Sequence, residues 1–219
     1  MNDASSFSER MRDHSRGTWN AILGHRFFRE VATDAMDDRT FARYLRIEYG
    51  FVDTAARVLG YAVAKAPSFQ ERRRLGLGLH GLVTDQEQFF INAFERMGVH
   101  GEEGTGLPLQ ELALPLHALF LSVAATEGYE EILTCVLAAE WMYLTWCSRA
   151  NQSPSSRGYI EDWVALHADS AFADHVAWVR SEIDNRGPAL ADSRQARVSG
   201  LFEKALEAEI AFHDAAYTA

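Results

Sequence analysis

Cysteine is scarce in this chain, with only Cys135 and Cys147 among 219 residues. Two thiols make no disulfide framework. They fall on one expected helix, ~18 Å apart at the helical rise, too far to bridge. Positive charge is also short: 21 Lys and Arg face 31 Asp and Glu, a formal net charge of −10. No basic run exceeds Arg72-Arg73-Arg74. Nucleic-acid binding needs a contiguous positive surface that displaces counterions, so that class is excluded. No apolar run approaches the ~20 residues that span a bilayer. Met1 to Arg16 is polar and charged, which does not suit a secretory leader. Gly76-Leu77-Gly78 sits in a helical pattern and lacks the lysine of a phosphate loop, and there is neither a Gly-x-Ser-x-Gly elbow nor a Cys-x-x-Cys pair. Alternating β-branched runs bounded by turn signals are missing, which excludes strands. The expectation is a soluble, reduced, cytoplasmic protein with no nucleic-acid or membrane partner.

What is present is helical periodicity. Apolar residues make up 47% of the chain, enough for a substantial core. Ser6-Phe7-Ser8-Glu9 reads as a capping box that opens a helix ending at Leu23-Gly24. A short segment, His25 to Thr33, follows. Asp37-Asp38 offers an N-cap for a long helix over Arg39–Lys65, stopped by Ala66-Pro67. Ser68-Phe69-Gln70-Glu71 is a second capping box, opening a helix to Met97-Gly98. Gly101 to Gly106 is a loop, and the next helix starts at Leu109 or Pro115 and runs to Thr126. After Gly128 comes a strongly apolar helix, Tyr129–Arg149, then a loop over Asn151–Ser156. Three helices complete the chain, Tyr159–His167, Ala171–Asp184 and Ser193–Tyr217, with Asn185 to Pro188 as a hinge. No linker or repeat interrupts them. The expected architecture is one all-α domain over residues 1–219, a bundle of seven to eight helices.

Chemistry in such a bundle must come from side chains that project inward. Tyr44, Glu48 and Phe51 share a face of the long helix, with Glu48 at the edge of an apolar stripe. Glu48 there is either a solvated flank residue or a buried acid facing a pocket. Glu140 is the only charge between Ile132 and Trp146, in a helix apolar nearly all round. Burying an unpaired carboxylate is costly, so Glu140 must be paired, protonated or beside a wet cavity. On the last helix Glu209 and His213 stand at i, i+4 beside Phe212. That spacing can supply two metal ligands, with Glu48, Glu140, His80 and His167 as further candidates, but no Glu-x-x-His pair occurs on any helix. His167 ends a helix, where a histidine often only complements the dipole. Cys135 lies in apolar surroundings, with nothing nearby in sequence to lower its pKa.

Taken in order, several segments resemble the TenA (thiaminase II) family, which has a heme-oxygenase-like helical fold. They are Phe7-Ser8-Glu9-Arg10-Met11-Arg12, Trp19, His25-Arg26-Phe27-Phe28 and Phe41-Ala42-Arg43-Tyr44-Leu45. Glu140-Trp141-Met142-Tyr143, Trp163 to His167 and Glu209-Ile210-Ala211-Phe212 complete the set. The resemblance spans essentially the whole chain. It implies hydrolysis of aminopyrimidines in thiamin salvage, with no cofactor, and a homo-oligomer, dimer or tetramer. It also implies that the family's cysteine nucleophile falls on Ala139, its pyrimidine-contacting acid on Glu48, and its pocket tyrosines on Phe51, Leu116 and His167. The carboxylate of the last helix is kept as Glu209. The chain is therefore similar to a cysteine-lacking branch in which a glutamate of the central helix takes part, a description Glu140 fits. On this reading Glu140 and Glu209 divide acid and base roles. Glu48 meets the ring's amino edge, Tyr44, Phe51, Tyr143 and Phe212 contact or wall the ring, and His167 orients a carboxylate. The alternatives are a metal-dependent oxidase on the same scaffold and a non-catalytic pyrimidine-binding or regulatory protein.

Overall fold

A computed structural model describes residues 5–99, 113–152 and 155–218. The described residues form eleven α-helical segments: α1 (Phe7–His14), α2 (Arg16–Leu23), α3 (Arg26–Ala32), α4 (Asp38–Lys65), α5 (Phe69–Gly81), α6 (Glu87–Arg96), α7 (Leu114–Thr126), α8 (Tyr129–Ala150), α9 (Gly158–Leu166), α10 (Ser170–Arg186) and α11 (Asp192–Asp214). Among the described residues there is no strand. The all-α class is as expected, and the larger number of segments has local causes. Ser15 breaks the first helix into α1 and α2, His25–Thr33 supplies α3, and a π-helical turn, Leu82–Gln86, divides the helix expected over 68–97. The expected loop at Gly101–Gly106, the alternative helix start at Leu109, and Ser153-Pro154 lie outside the described residues.

Capping explains most of the helix starts. Ser6 Oγ accepts from the Glu9 amide while Glu9 Oε2 accepts from the Ser6 amide at 3.0 Å, completing the first capping box. Asp37 caps α4 through the Thr40 amide. The second box is only half made: Ser68 Oγ accepts from Gln70, but Glu71 bonds the Ser68 hydroxyl and Arg186 rather than the Ser68 amide. Arg186 draws that carboxylate toward α10. The hinge expected at Asn185 to Pro188 is instead the last turn of α10 followed by a 3₁₀ turn, Gly187–Ala189. Gly187 is required there, since a Cβ on it would collide with the Phe7 ring.

Helix α8 runs through the middle, packed against α2, α3, α4, α7, α9, α10 and α11. Its buried residues run from Tyr129 to Cys147 with few gaps, so the apolar pattern is that of a helix covered on all sides. Glu131, 2% exposed, is its one fully buried acid, and Arg194 at the start of α11 holds both its oxygens at 2.9 and 2.7 Å. Burial raises the Glu131 pKa, but hydrogen bonds and charge from Arg194 outweigh it and the net shift is downward. No helix among the described residues is long and apolar enough to cross a membrane.

Removing Arg194 would leave the Glu131 charge without its partner. Arg194→Met is expected to lower stability by roughly 2–3 kcal/mol at pH 7, below the value for a fully buried pair because Arg194 itself is partly exposed. A depressed carboxylate pKa contributes stability above the ordinary carboxylate range and loses it as pH falls, so the defect should shrink near pH 4. Urea unfolding at both pH values measures it.

Candidate active site

A cavity of about 480 Å³ opens between α4, α5, the π-helical turn, α7, α8, α10 and α11. That volume is in the range of small-molecule sites. Glu48, Glu140 and Glu209, from three different helices, all line it. So do Phe51, Tyr143, His167 and Phe212. Phe51 meets Phe212 edge to face at 5.8 Å, and Tyr143 stacks on His167 at 4.9 Å, giving flat apolar walls. Leu116 and Ala139 line the cavity as well, so the two positions where the family resemblance implies a tyrosine and a cysteine present aliphatic side chains to it.

Tyr44 is the exception. It is fully buried and does not line the cavity, so it is no direct ring contact. Its hydroxyl instead bonds Tyr143 Oη at 2.9 Å. Tyr143 Oη in turn lies 3.2 Å from His213 Nε2. His213 Nδ1 donates to the Glu209 backbone carbonyl, which leaves Nε2 as the acceptor for Tyr143. Tyr44 thus acts on the cavity through Tyr143, because a side chain four residues before Glu48 on α4 points one turn deeper into the core.

Glu48 is buried rather than solvated. Its Oε2 accepts from the Trp163 indole at 2.9 Å, and its Oε1 is 3.8 Å from His167 Nε2. Burial raises its pKa to about 8, against the opposing hydrogen bonds from Trp163 and Tyr44. Glu209 is likewise pushed to about 8, by burial first and the charge of Glu48 second. Its Oε2 has no hydrogen-bond partner among the described residues. The two histidines move the opposite way: burial lowers His167 to about 4 and His213 to about 3. His167 donates Nδ1–H to the Trp163 carbonyl, so its Nε2 lone pair faces Glu48. At neutral pH this part of the cavity holds protonated acids and neutral imidazoles.

Glu140 differs. It is half-buried, with its side chain 23% exposed, and its Oε2 lies 3.1 Å from His175 Nε2. The ring N–H is not aimed at that oxygen, so the contact is a close approach rather than a well-formed hydrogen bond, and it becomes an ion pair when the ring is protonated. The negative charge of Glu140 raises the His175 pKa, outweighing burial. His175 was not marked by any sequence signal, being an isolated histidine on an ordinary helix. Trp163 as partner of Glu48 was equally hidden, since the two are 115 residues apart.

The thiols do not take part. Cys135 and Cys147 are free and buried on α8, outside the cavity lining. Burial drives the Cys135 thiol to about 12, which leaves no reactive thiolate. Among the described residues no three His, Cys, Asp or Glu side chains gather in a way that could hold a metal ion. Of the ligands considered for an oxidase, Glu48, Glu140, His167 and Glu209 line the cavity, His80 and His213 do not, and His213 is tied to Tyr143 and a backbone carbonyl.

Fold and cavity define a heme-oxygenase-like helical bundle that encloses a cavity of small-molecule size, lined by carboxylates, imidazoles and aromatic rings among other side chains. A solved structure from Shewanella denitrificans, described as a domain with a heme oxygenase-like fold, superposes with a TM-score of 0.74 at 15% identity, covering 96% of this chain and 91% of that one. The chain belongs to the TENA/THI-4/PQQC family, whose model matches residues 11–219. It is 19% identical to the aminopyrimidine aminohydrolase of Helicobacter pylori, over 96% of this chain and 98% of that protein. A TenA family transcription regulator from Silicibacter has the same fold, with a TM-score of 0.90 at 18% identity over 98% of each chain.

The raised carboxyl pKa values carry a stability signature. The folded protein keeps protons on Glu48 and Glu209 that the unfolded chain gives up near the ordinary value of 4.5. The associated stability is complete below that value and is lost as pH rises toward about 8. Glu209→Gln, which cannot ionise, should melt about as wild type at pH 5. At pH 9 it should melt at least ~2–4 °C higher, the shift expected for ~1 kcal/mol in a chain of this size. Thermal melts at the two pH values decide it.

Proposed function

We propose that this chain hydrolyses an aminopyrimidine of the kind met in thiamin salvage, releasing ammonia, with carboxylates acting where the family has a cysteine. The observation that carries this reading is the shared cavity of Glu48, Glu140 and Glu209, with Ala139 beside Glu140 on its wall. A thiol nucleophile is missing at that position, so water must attack directly and needs a base. Glu209 suits that role. It is buried, has an oxygen without a partner, and its raised pKa makes its ionised form a stronger base than an ordinary carboxylate.

Glu48 suits recognition of the ring. A carboxyl that stays protonated near neutral pH can donate O–H to a ring nitrogen while its carbonyl oxygen accepts from the neighbouring amino group. The Trp163 indole and His167 hold it in place from behind. Phe51, Tyr143 and Phe212 offer the faces on which a flat ring packs. Glu140 and its imidazole partner line the cavity close to Ala139, and on this reading they serve the protonation of the departing nitrogen. The reading includes a cytoplasmic homo-oligomer, for which Phe69, Leu77, Val83 and Ile91, large apolar side chains left exposed, offer a contact surface.

Ammonia release from 4-amino-5-aminomethyl-2-methylpyrimidine, coupled to a dehydrogenase that consumes it, tests the reaction. Wild type should turn the compound over, and Glu209→Gln should lose ~10²–10⁴ in kcat, the usual contribution of a positioned base. Thermal stabilisation by the pyrimidine with no ammonia formed would point to a binding protein instead.

A further inference from the structure

Glu140 stands against a histidine, with its Oε2 3.1 Å from His175 Nε2. The charge of Glu140 raises the proton affinity of that imidazole. His175 lines the same cavity, and its side chain is only 15% exposed. Nε2 is the nitrogen next to Glu140, and the other nitrogen, Nδ1, has no hydrogen-bond partner among the described residues. Gly78 of α5 leaves room for the ring, since an added Cβ would come to 3.4 Å from its Cε1 and 3.7 Å from its Nδ1, and the Trp178 ring lies tilted with its centroid 6.1 Å away. The neighbouring histidines cannot take this part. His167 and His213 each spend Nδ1–H on a backbone carbonyl and present only a lone pair.

We propose that His175 is the proton donor to the departing nitrogen, with Glu140 as the counter-ion that keeps the imidazole protonated and turned toward the cavity. The inference rests on the aminohydrolase reading above and adds to it the residue that performs the acid step. In that step the C–N bond of the aminomethyl group breaks and its electron pair goes to nitrogen. The proton on His175 moves to that nitrogen, so neutral ammonia leaves. The C–O bond forms to water, whose proton passes to Glu209 in its ionised form, so the reacting state is the one in which Glu209 has lost its proton and His175 holds one. Return of that proton from Glu209 to His175 through water restores both groups, and the sum is amine plus water giving alcohol plus ammonia.

The charged groups around His175 set the direction of its pH response. Glu140 on α8 raises its affinity for the proton, and Arg74 on α5 lowers it. Asp85 of the π-helical turn and Asp169 just before α10 line the same cavity. The active form is the imidazolium, so activity falls as pH rises through the His175 pKa. Replacing Glu140 by Gln removes the largest raising influence and moves that fall to lower pH.

The test follows two substrates and one titration. The substrates are the aminomethyl pyrimidine and its analogue with a quaternary pyridinium in place of the amine, a leaving group that departs without taking a proton. His175→Gln should lose ~10²–10⁴ in kcat on the amine and retain wild-type activity within a few-fold on the pyridinium compound. Glu140→Gln should shift the alkaline limb of the kcat/KM profile for the amine to lower pH. The His175 ring-proton titration, followed by NMR, should move by the same amount. Equal losses on both substrates in His175→Gln overturn the proposal, as does an alkaline limb that Glu140→Gln leaves in place. His175→Asn serves as a second variant where the glutamine fails to fold, judged by its melting curve. Wild-type turnover of neither compound overturns the hydrolase reading itself, and the donor role falls with it. Turnover that is indifferent to His175 overturns the donor role alone.

Discussion

Helix α8 is covered on every side by seven other helices, and a charge on such a helix is tolerable only where something receives it. That single constraint organises the rest of the molecule. At the N-terminal end the recipient is Arg194, which closes both oxygens of Glu131 in a fork and ties α8 to α11. At Glu140 the recipient is a cavity and the His175 ring. On either side of Glu140 the wall of α8 is Val136, Ala139 and Tyr143, small or flat enough to leave the space open. The cavity is therefore a consequence of how the buried helix disposes of its charge as much as of the helices around it.

Within that cavity the titrating groups separate into two sets. Glu48, Glu209, His167 and His213 are desolvated and stand near their uncharged forms, linked through Trp163, Tyr143 and Tyr44. Glu140 and His175 stand against each other closer to solvent, their side chains 23% and 15% exposed. A neutral, hydrogen-bonding, aromatic interior suits a flat heterocycle, and a charged pair beside it suits the step in which protons move. Carboxylates whose environments push their proton affinities apart are the usual way a single site runs acid and base chemistry together.

The positions at which the resemblance implies a thiol and phenols carry Ala139, Leu116, Phe51 and His167, and all four line the cavity. The two cysteines the chain does possess are sealed in α8, where burial holds their thiols protonated. Beside Arg74, Gln86 and Tyr143, the polar side chains of the wall are carboxylates and imidazoles.

Much of the fold was legible in the sequence because helix signals are local. Ser6, Asp37 and Pro67 mark ends through atoms within four residues, and the apolar run of Tyr129–Arg149 announces a covered helix without any knowledge of its neighbours. Glu140 stood out for the same reason, as a lone charge in that run. Glu48 was ambiguous, because periodicity gives the face of a helix but not the depth to which that face is buried. The break at Leu82–Gln86, the rank of Tyr44 behind Tyr143, the indole on Glu48 and the imidazole on Glu140 were not legible at all. Each depends on the lateral packing of helices far apart in the chain, and on the desolvation that follows. Sequence by itself determined where the helices run and which residues carry ionisable groups. Tertiary packing alone decided which of those groups meet and which keep their protons, since both depend on distance and dielectric rather than on order along the chain.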